Sequence, residues 1–131
     1  MNKFTGLLAG ALLSMVVLAG FTVIPPTASY PAGDELDIPE NINAIFKNSC
    51  YGCHNSESKN EKAKKKMKID ELAGLTKSKL VAKLNKIVKE IEEGEMPPEK
   101  FAAKYPERVP SKEDQQALIN WAKGEVDKLT Q

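Results

Sequence analysis

Apolar side chains recur at helical spacing in three separate stretches of the 131-residue chain. In the first stretch, Ile42, Ile45 and Phe46 follow Pro39 at the i, i+3, i+4 spacing of a single buried stripe. This pattern predicts a short helix that starts near Pro39 and runs directly into Cys50.

The other two stretches lie in the second half of the chain and are longer. One starts at Thr76, a residue type that caps helices, and ends at Gly94; its apolar positions are Leu80, Leu84, Ile87, Val88 and Ile91. The other follows Ser111 and Asp114, which resemble a capping box; its apolar face comprises Leu118, Trp121, Ala122 and Leu129. Two further helices are therefore predicted.

The segments between these helices have weaker patterns. Residues 57–70 hold six lysines with almost no apolar spacing, which favours a solvated loop or an unstable helix. Residues 94–110 are rich in proline and predict a connector. No segment alternates with period two for long enough to form a strand, so the predicted fold is all-α, with one domain over residues 33–131.

The N-terminal segment is uncharged from Phe4 to Gly33 after a single Lys3. Residues 1–32 are therefore predicted to be a signal peptide or, if they are retained, an N-terminal membrane anchor. In both cases the domain is exported, to the periplasm or the outer face of the cytoplasmic membrane. Only this segment would contact a membrane.

The charge of the remaining chain is balanced, because removing Lys3 leaves 18 basic against 18 acidic residues. Aromatic residues make up only 6% of the sequence, so the stacking platforms of single-strand binders are missing. Neither property favours nucleic acid as a partner.

The candidate chemistry is concentrated in "CYGCH", which holds both cysteines and the only histidine, Cys50, Cys53 and His54. A plain disulfide does not need the histidine, a thioredoxin-like dithiol belongs in a βαβ context, and a closed zinc site needs a fourth ligand. CxxCH is the attachment pattern of haem c. We therefore expect one haem, bound covalently through thioethers to Cys50 and Cys53, with His54 on the iron.

The second axial ligand is expected to be a methionine, because no other histidine exists. Met96 precedes Pro97 and Pro98, which restrict the backbone and present the thioether from a stiff loop. Met67 is the alternative ligand, although it is better explained as an apolar anchor of the lysine-rich run. An open or water-bound sixth position is a third alternative.

These motifs together resemble the class I c-type cytochromes and, more closely, a short bacterial haem-binding domain family. The shared features are CYGCH, the "GEMPP" segment from Gly94 to Pro98, the Tyr105-Pro106 pair, and a last helix led by Ser111 with Trp121. The resemblance implies a cytochrome c-like haem-wrapping fold in which Phe46 meets Leu118, Trp121 or Ala122 where the first and last helices cross. Related cytochromes place a proline after the motif, and the backbone carbonyl of that proline accepts a hydrogen bond from the imidazole that binds the iron. No proline lies between His54 and Met96, so the acceptor for His54 is not assigned from the sequence.

The expected function is a one-electron carrier rather than an enzyme, with the metal held by His54 and Met96. Redox proteins are the expected partners, and the lysines of residues Lys59 to Lys68 are either a docking patch or simply a solvated face. The alternative function is a haem-based gas sensor or a small peroxidase-like protein with an open sixth position.

Overall fold

The computed structural model describes residues 36–131, so the prediction for residues 1–32 lies outside the described part. That part is helical and contains no strand, which confirms the all-α prediction. Its five α-helices are α1 (Glu40–Ile45), α2 (Glu61–Lys66), α3 (Lys77–Glu92), α4 (Glu99–Lys104) and α5 (Lys112–Thr130). Within residues 36–131, no helix combines the length and the apolar character needed to cross a membrane.

Three shorter helical pieces extend this framework. α1 continues without a break into a π-helical turn, Phe46–Cys50, and single 3₁₀ segments cover Ile69–Gly74 and Pro106–Arg108. The π-helical turn is closed by the Tyr51 N–H, which donates to the Phe46 carbonyl at 2.8 Å. Such turns alter the direction in which the following side chains leave a helix.

The core forms where α3 packs along α5 and α1 meets α5. Phe46, Leu84, Leu118 and Ala122 are almost fully buried there. The Phe46 ring also meets the ring of Trp121 edge-on, with 5.5 Å between centroids. This contact confirms the expected meeting of the first and last helices, and edge-to-face pairs of this kind add about 0.5–1.5 kcal/mol to area burial.

The helix ends follow from local side-chain chemistry. Ser111 and Asp114 form the predicted capping box, each side chain accepting the other's backbone N–H. Thr76 occupies the N-cap position of α3, but its side chain makes no capping hydrogen bond. α3 therefore depends on its buried apolar stripe rather than on a side-chain cap for its stability.

Two intermediate segments are more ordered than the sequence indicated. The lysine-rich run forms α2 because Asn60 caps it, its Oδ1 accepting the Ala63 N–H at 3.1 Å, and because Ala63 and Met67 are buried. This result decides between the predicted loop and helix in favour of a short helix. The proline-rich connector likewise contains α4 and a 3₁₀ turn, since Pro98 and Pro106 occupy positions at helix starts that tolerate a missing N–H.

Candidate functional site

The CYGCH motif forms a tight turn at the end of α1 and its π-helical extension. The Cys50 carbonyl accepts hydrogen bonds from the N–H groups of both Cys53, at 3.1 Å, and His54, at 3.0 Å. Cys50 and Cys53 are half-buried free cysteines. This turn brings all three predicted side chains to the wall of one cleft.

The environment of Cys50 disfavours the thiolate. Burial raises the pKa of the Cys50 thiol to about 11, with the positive charge of Arg108 offsetting part of the effect and Cys53 adding to it. A dithiol redox site needs the opposite shift, because the thiolate is its nucleophile. The raised pKa therefore does not favour Cys50 as the attacking thiol of a dithiol site.

His54 is oriented by the main chain of the segment that follows α2. Its Nδ1 lies 3.3 Å from the carbonyl oxygen of Met67, and its own carbonyl accepts the Ile69 N–H at 3.0 Å. A carbonyl only accepts, so this contact is a hydrogen bond when Nδ1 carries a proton, and in the neutral ring Nε2 then keeps its lone pair. The Met67 carbonyl is therefore the acceptor that the sequence left open, and no sequence signal marks it because any residue provides a carbonyl.

The loop after His54 is held by Asp70. Both carboxylate oxygens of Asp70 accept the Ser56 N–H at 3.1 Å, and one also accepts the Ser56 hydroxyl. The hydroxyl hydrogen bond is the main reason that the pKa of the Asp70 carboxyl lies below its usual range. The segment from Met67 to Asp70 is thus joined to the His54 loop at two places, by the bonds to His54 and by the bonds to Ser56.

Met96 is placed by the way in which α3 ends. Gly94 has a φ of 71°, its N–H donates to the Ile91 carbonyl at 3.1 Å, and the Glu95 N–H donates to the Glu90 carbonyl at 2.9 Å. This pair of bonds is a Schellman motif. The Met96 N–H donates to the same Glu90 carbonyl at 3.1 Å, so Met96 is fixed one residue beyond the motif.

A single cleft joins these elements, with a volume of about 860 Å³ including its open mouth. Its walls are predominantly apolar and contain all four predicted site residues, Cys50, Cys53, His54 and Met96, as well as Met67. In the described residues, no three His, Cys, Asp or Glu side chains cluster in a way that could hold a bare metal ion.

A family model for a haem-binding domain matches residues 58–124, just over half of the chain. The chain belongs to this haem-binding domain family. The matched residues begin after His54, so the match and the CYGCH motif are separate observations that agree on the cofactor. No curated protein and no solved structure matches the chain.

The residues that line the cleft of this haem-binding domain suit a haem. Phe46, Ile87 and Leu118 provide apolar walls for a hydrophobic group, and His54 provides an imidazole nitrogen for its iron. Lys66 and Lys86 are the lysines on the wall, and because Lys86 already pairs with Glu90 at 3.3 Å, Lys66 is the one better suited to a carboxylate of a haem. Sequence reasoning identified the soft donors and included Lys66 in the run Lys59 to Lys68, but it missed Lys86, whose place on the wall depends on how α3 packs.

Proposed function

We propose that this haem-binding domain is a c-type cytochrome that acts as an exported one-electron carrier. In this proposal Cys50 and Cys53 would attach one haem by thioethers, and His54 and Met96 would hold its iron. The observation that carries the proposal is that one cleft gathers these four side chains while His54 keeps Nε2 free.

Met96 is better placed than Met67 to hold the iron of a haem together with His54. The Met67 carbonyl is bonded to Nδ1, on the side of the imidazole that faces away from a metal held by Nε2. The Met67 segment is thus occupied in holding His54. Met96 enters the cleft from the end of α3 instead, in a segment separate from the His54 loop.

A bound haem would supply reversible one-electron oxidation and reduction. The residues of the chain then have three tasks. The Met67 carbonyl keeps His54 in one tautomer, the Schellman turn keeps Met96 from drifting, and the buried ring of Phe46 excludes water. If His54 and Met96 both hold the iron, no position would remain for a substrate, which is why we propose a carrier and not an enzyme.

The ligand assignment is tested by the optical spectra of the haem-loaded protein with Met96→Leu and with Met67→Leu. Both changes nearly conserve volume, so the second is a matched control for the first. We expect the wild type and Met67→Leu to show the weak far-red band of Met-ligated ferric haem, and Met96→Leu to lose it. Loss of the band in Met67→Leu alone would make Met67 the ligand.

The rival interpretation, a sensor or peroxidase-like protein, is tested on the same samples. Reduced wild-type protein should resist carbon monoxide, whereas Met96→Leu should bind it. A high-spin wild type that binds carbon monoxide directly would favour the open-site alternative. Covalent attachment is tested separately, because haem held by two thioethers stays with the polypeptide through acid–acetone extraction and haem held only by ligation does not.

A further inference from the structure

Residues 97–109 form an outer flap of the cleft, comprising Pro97, Pro98, α4 and the 3₁₀ turn that ends at Arg108. Phe101, in α4, faces the cleft together with the two prolines. Within the described part of the chain, each backbone hydrogen bond made by a flap residue has its other partner in the flap as well, including the bonds that join α4 to Pro98. A segment with so few links to its surroundings is easily opened unless a specific contact holds it.

Arg108 makes that contact. It is the only arginine of the chain, and its Nε donates to the carbonyl of Asn48 at 2.7 Å, across 60 residues. Its guanidinium carbon also lies 5.5 Å from the ring centroid of Phe101 and 5.8 Å from that of Tyr105, close enough for cation–π attraction. One side chain thus joins the flap to the helical turn that carries Cys50.

The Asn48 carbonyl, which accepts this hydrogen bond, lies near the C-terminal end of a helix, where a cation is most favourably placed. Asn48 is in the last turn before the CYGCH motif, where carbonyl groups run out of intrahelical partners and the helix dipole is negative. Gly52 leaves room for the contact, since a methyl group at that position would lie 3.1 Å from the Nη2 of Arg108. A middle position of the motif therefore has a structural role in accommodating Arg108.

We propose that Arg108 is a positioning residue that holds the flap, and with it Pro97 and Met96, against the haem-attachment turn. It acts through the main chain and has no contact with the metal. The proposal rests on the proposed function, because retention of Met96 matters only if Met96 is a ligand. Releasing Arg108 opens the cleft on the Met96 side and leaves the His54 side, which Met67 and Asp70 fasten, unchanged.

The test compares haem-loaded wild type, Arg108→Gln and Lys104→Gln by hydrogen exchange and by carbon monoxide binding. Lys104→Gln is a matched control, because the Lys104 Nζ lies 5.2 Å from the centroid of the same Tyr105 ring but does not bridge to the attachment turn. We expect Arg108→Gln to speed amide exchange in residues 97–109 about tenfold, as for loss of one charged hydrogen bond. We expect its ferrous form to bind carbon monoxide about tenfold more tightly.

A third variant, Arg108→Lys, keeps the charge but lacks the planar fork and should fall between wild type and Arg108→Gln. It also provides a folded sample if Arg108→Gln fails to fold. Unchanged exchange in both arginine variants would overturn the proposal, and so would faster exchange without any change in carbon monoxide binding. If the wild type already behaves as an open haem, the Met96 assignment fails, and the exchange measurement still decides whether Arg108 holds the flap.

Discussion

His54 has two ring nitrogens, and the structure engages one of them. The Met67 carbonyl takes Nδ1, and the Asp70 to Ser56 contact keeps the surrounding loop in register with the segment that carries Met67. A histidine held in this way is a better metal ligand than a freely rotating one, because its tautomer and ring orientation are set in advance. At the residue scale, the site therefore depends on hydrogen bonds as well as on the donors themselves.

The Asp70 contact predicts a pH effect. Because the pKa of the Asp70 carboxyl is lowered in the folded state, its stabilising contribution is present above the usual aspartate pKa of about 3.9 and is lost as the pH falls through the lowered value. Ser56→Ala removes the hydroxyl donor but keeps the N–H donor. The pKa of Asp70, followed by carboxyl carbon NMR, should rise toward its ordinary value in this variant; an unchanged titration would contradict the assignment.

At the element scale, the ends of helices position the site more than their middles do. The π-helical end of α1 leads into the cysteines, and the Schellman end of α3 leads to Met96. Both ends lie on the cleft, whereas the middles of α3 and α5 supply the buried core. A change that lengthens or unwinds either end should therefore alter the site before it unfolds the domain.

Substitutions at two glycines, one at the end of α3 and one within α5, test whether helix ends position the site while helix middles only stabilise the domain. Gly94→Ala should destabilise the domain by about 1 kcal/mol, because a φ of 71° is strained for alanine. Gly124→Ala lies within α5, where a methyl group meets no atom within 4 Å, and should stabilise by about 0.5–1 kcal/mol.

Denaturant unfolding of the haem-loaded variants measures both effects. Gly94→Ala should also weaken the far-red band that we expect from Met96, while Gly124→Ala should leave it unchanged. Equal stabilities for the two variants would show that the turn after α3 does not need a left-handed residue.

At the scale of the whole molecule, the acidic residues near the end of α3 and the lysines of α2 differ in how far their charges are paired. The acidic residues near the end of α3 are largely neutralised, since Lys86 pairs with Glu90 at 3.3 Å and Lys123 pairs with Glu92 at 2.8 Å. On α2, Lys65 and Lys66 are exposed, and Lys66 is also on the cleft wall. A positive surface beside the cleft would attract acidic redox partners.

This surface predicts salt-dependent electron transfer. Oxidation of the reduced, haem-loaded protein by the anion ferricyanide should slow as ionic strength rises, because screening shortens the range of the attraction. Lys65→Glu should lower the low-salt rate by about threefold.

Lys79→Glu is the matched control, with the same charge change at an exposed position in the first turn of α3. It lies roughly 10 Å along the helix axis from Lys86 of the cleft wall. Equal effects of the two variants would mean that only net charge matters and that α2 is simply a solvated face.

The sequence by itself determined the features that depend on local chemistry. The periodic stripes of α3 and α5, the Ser111 capping box, the turn at Gly94 and the grouping of Cys50, Cys53 and His54 were all readable, because each involves residues within a few positions of one another. The two prolines directly after Met96 are a local signal of the same kind, and they favour Met96 over Met67 as the ligand; this assignment remains a prediction. The haem family and the all-α fold followed from these signals.

Tertiary structure decided the contacts that join distant segments. The bond from His54 to the Met67 carbonyl and the bond from Arg108 to the Asn48 carbonyl both end on main-chain oxygens, which every residue carries and no sequence pattern distinguishes. The lysine-rich run forms a helix because Ala63 and Met67 are buried against the core. The stabilisation from this burial depends on other segments and is not visible in the pattern of the run itself. Local signals specified the donors, whereas packing between helices determined how those donors are oriented and enclosed.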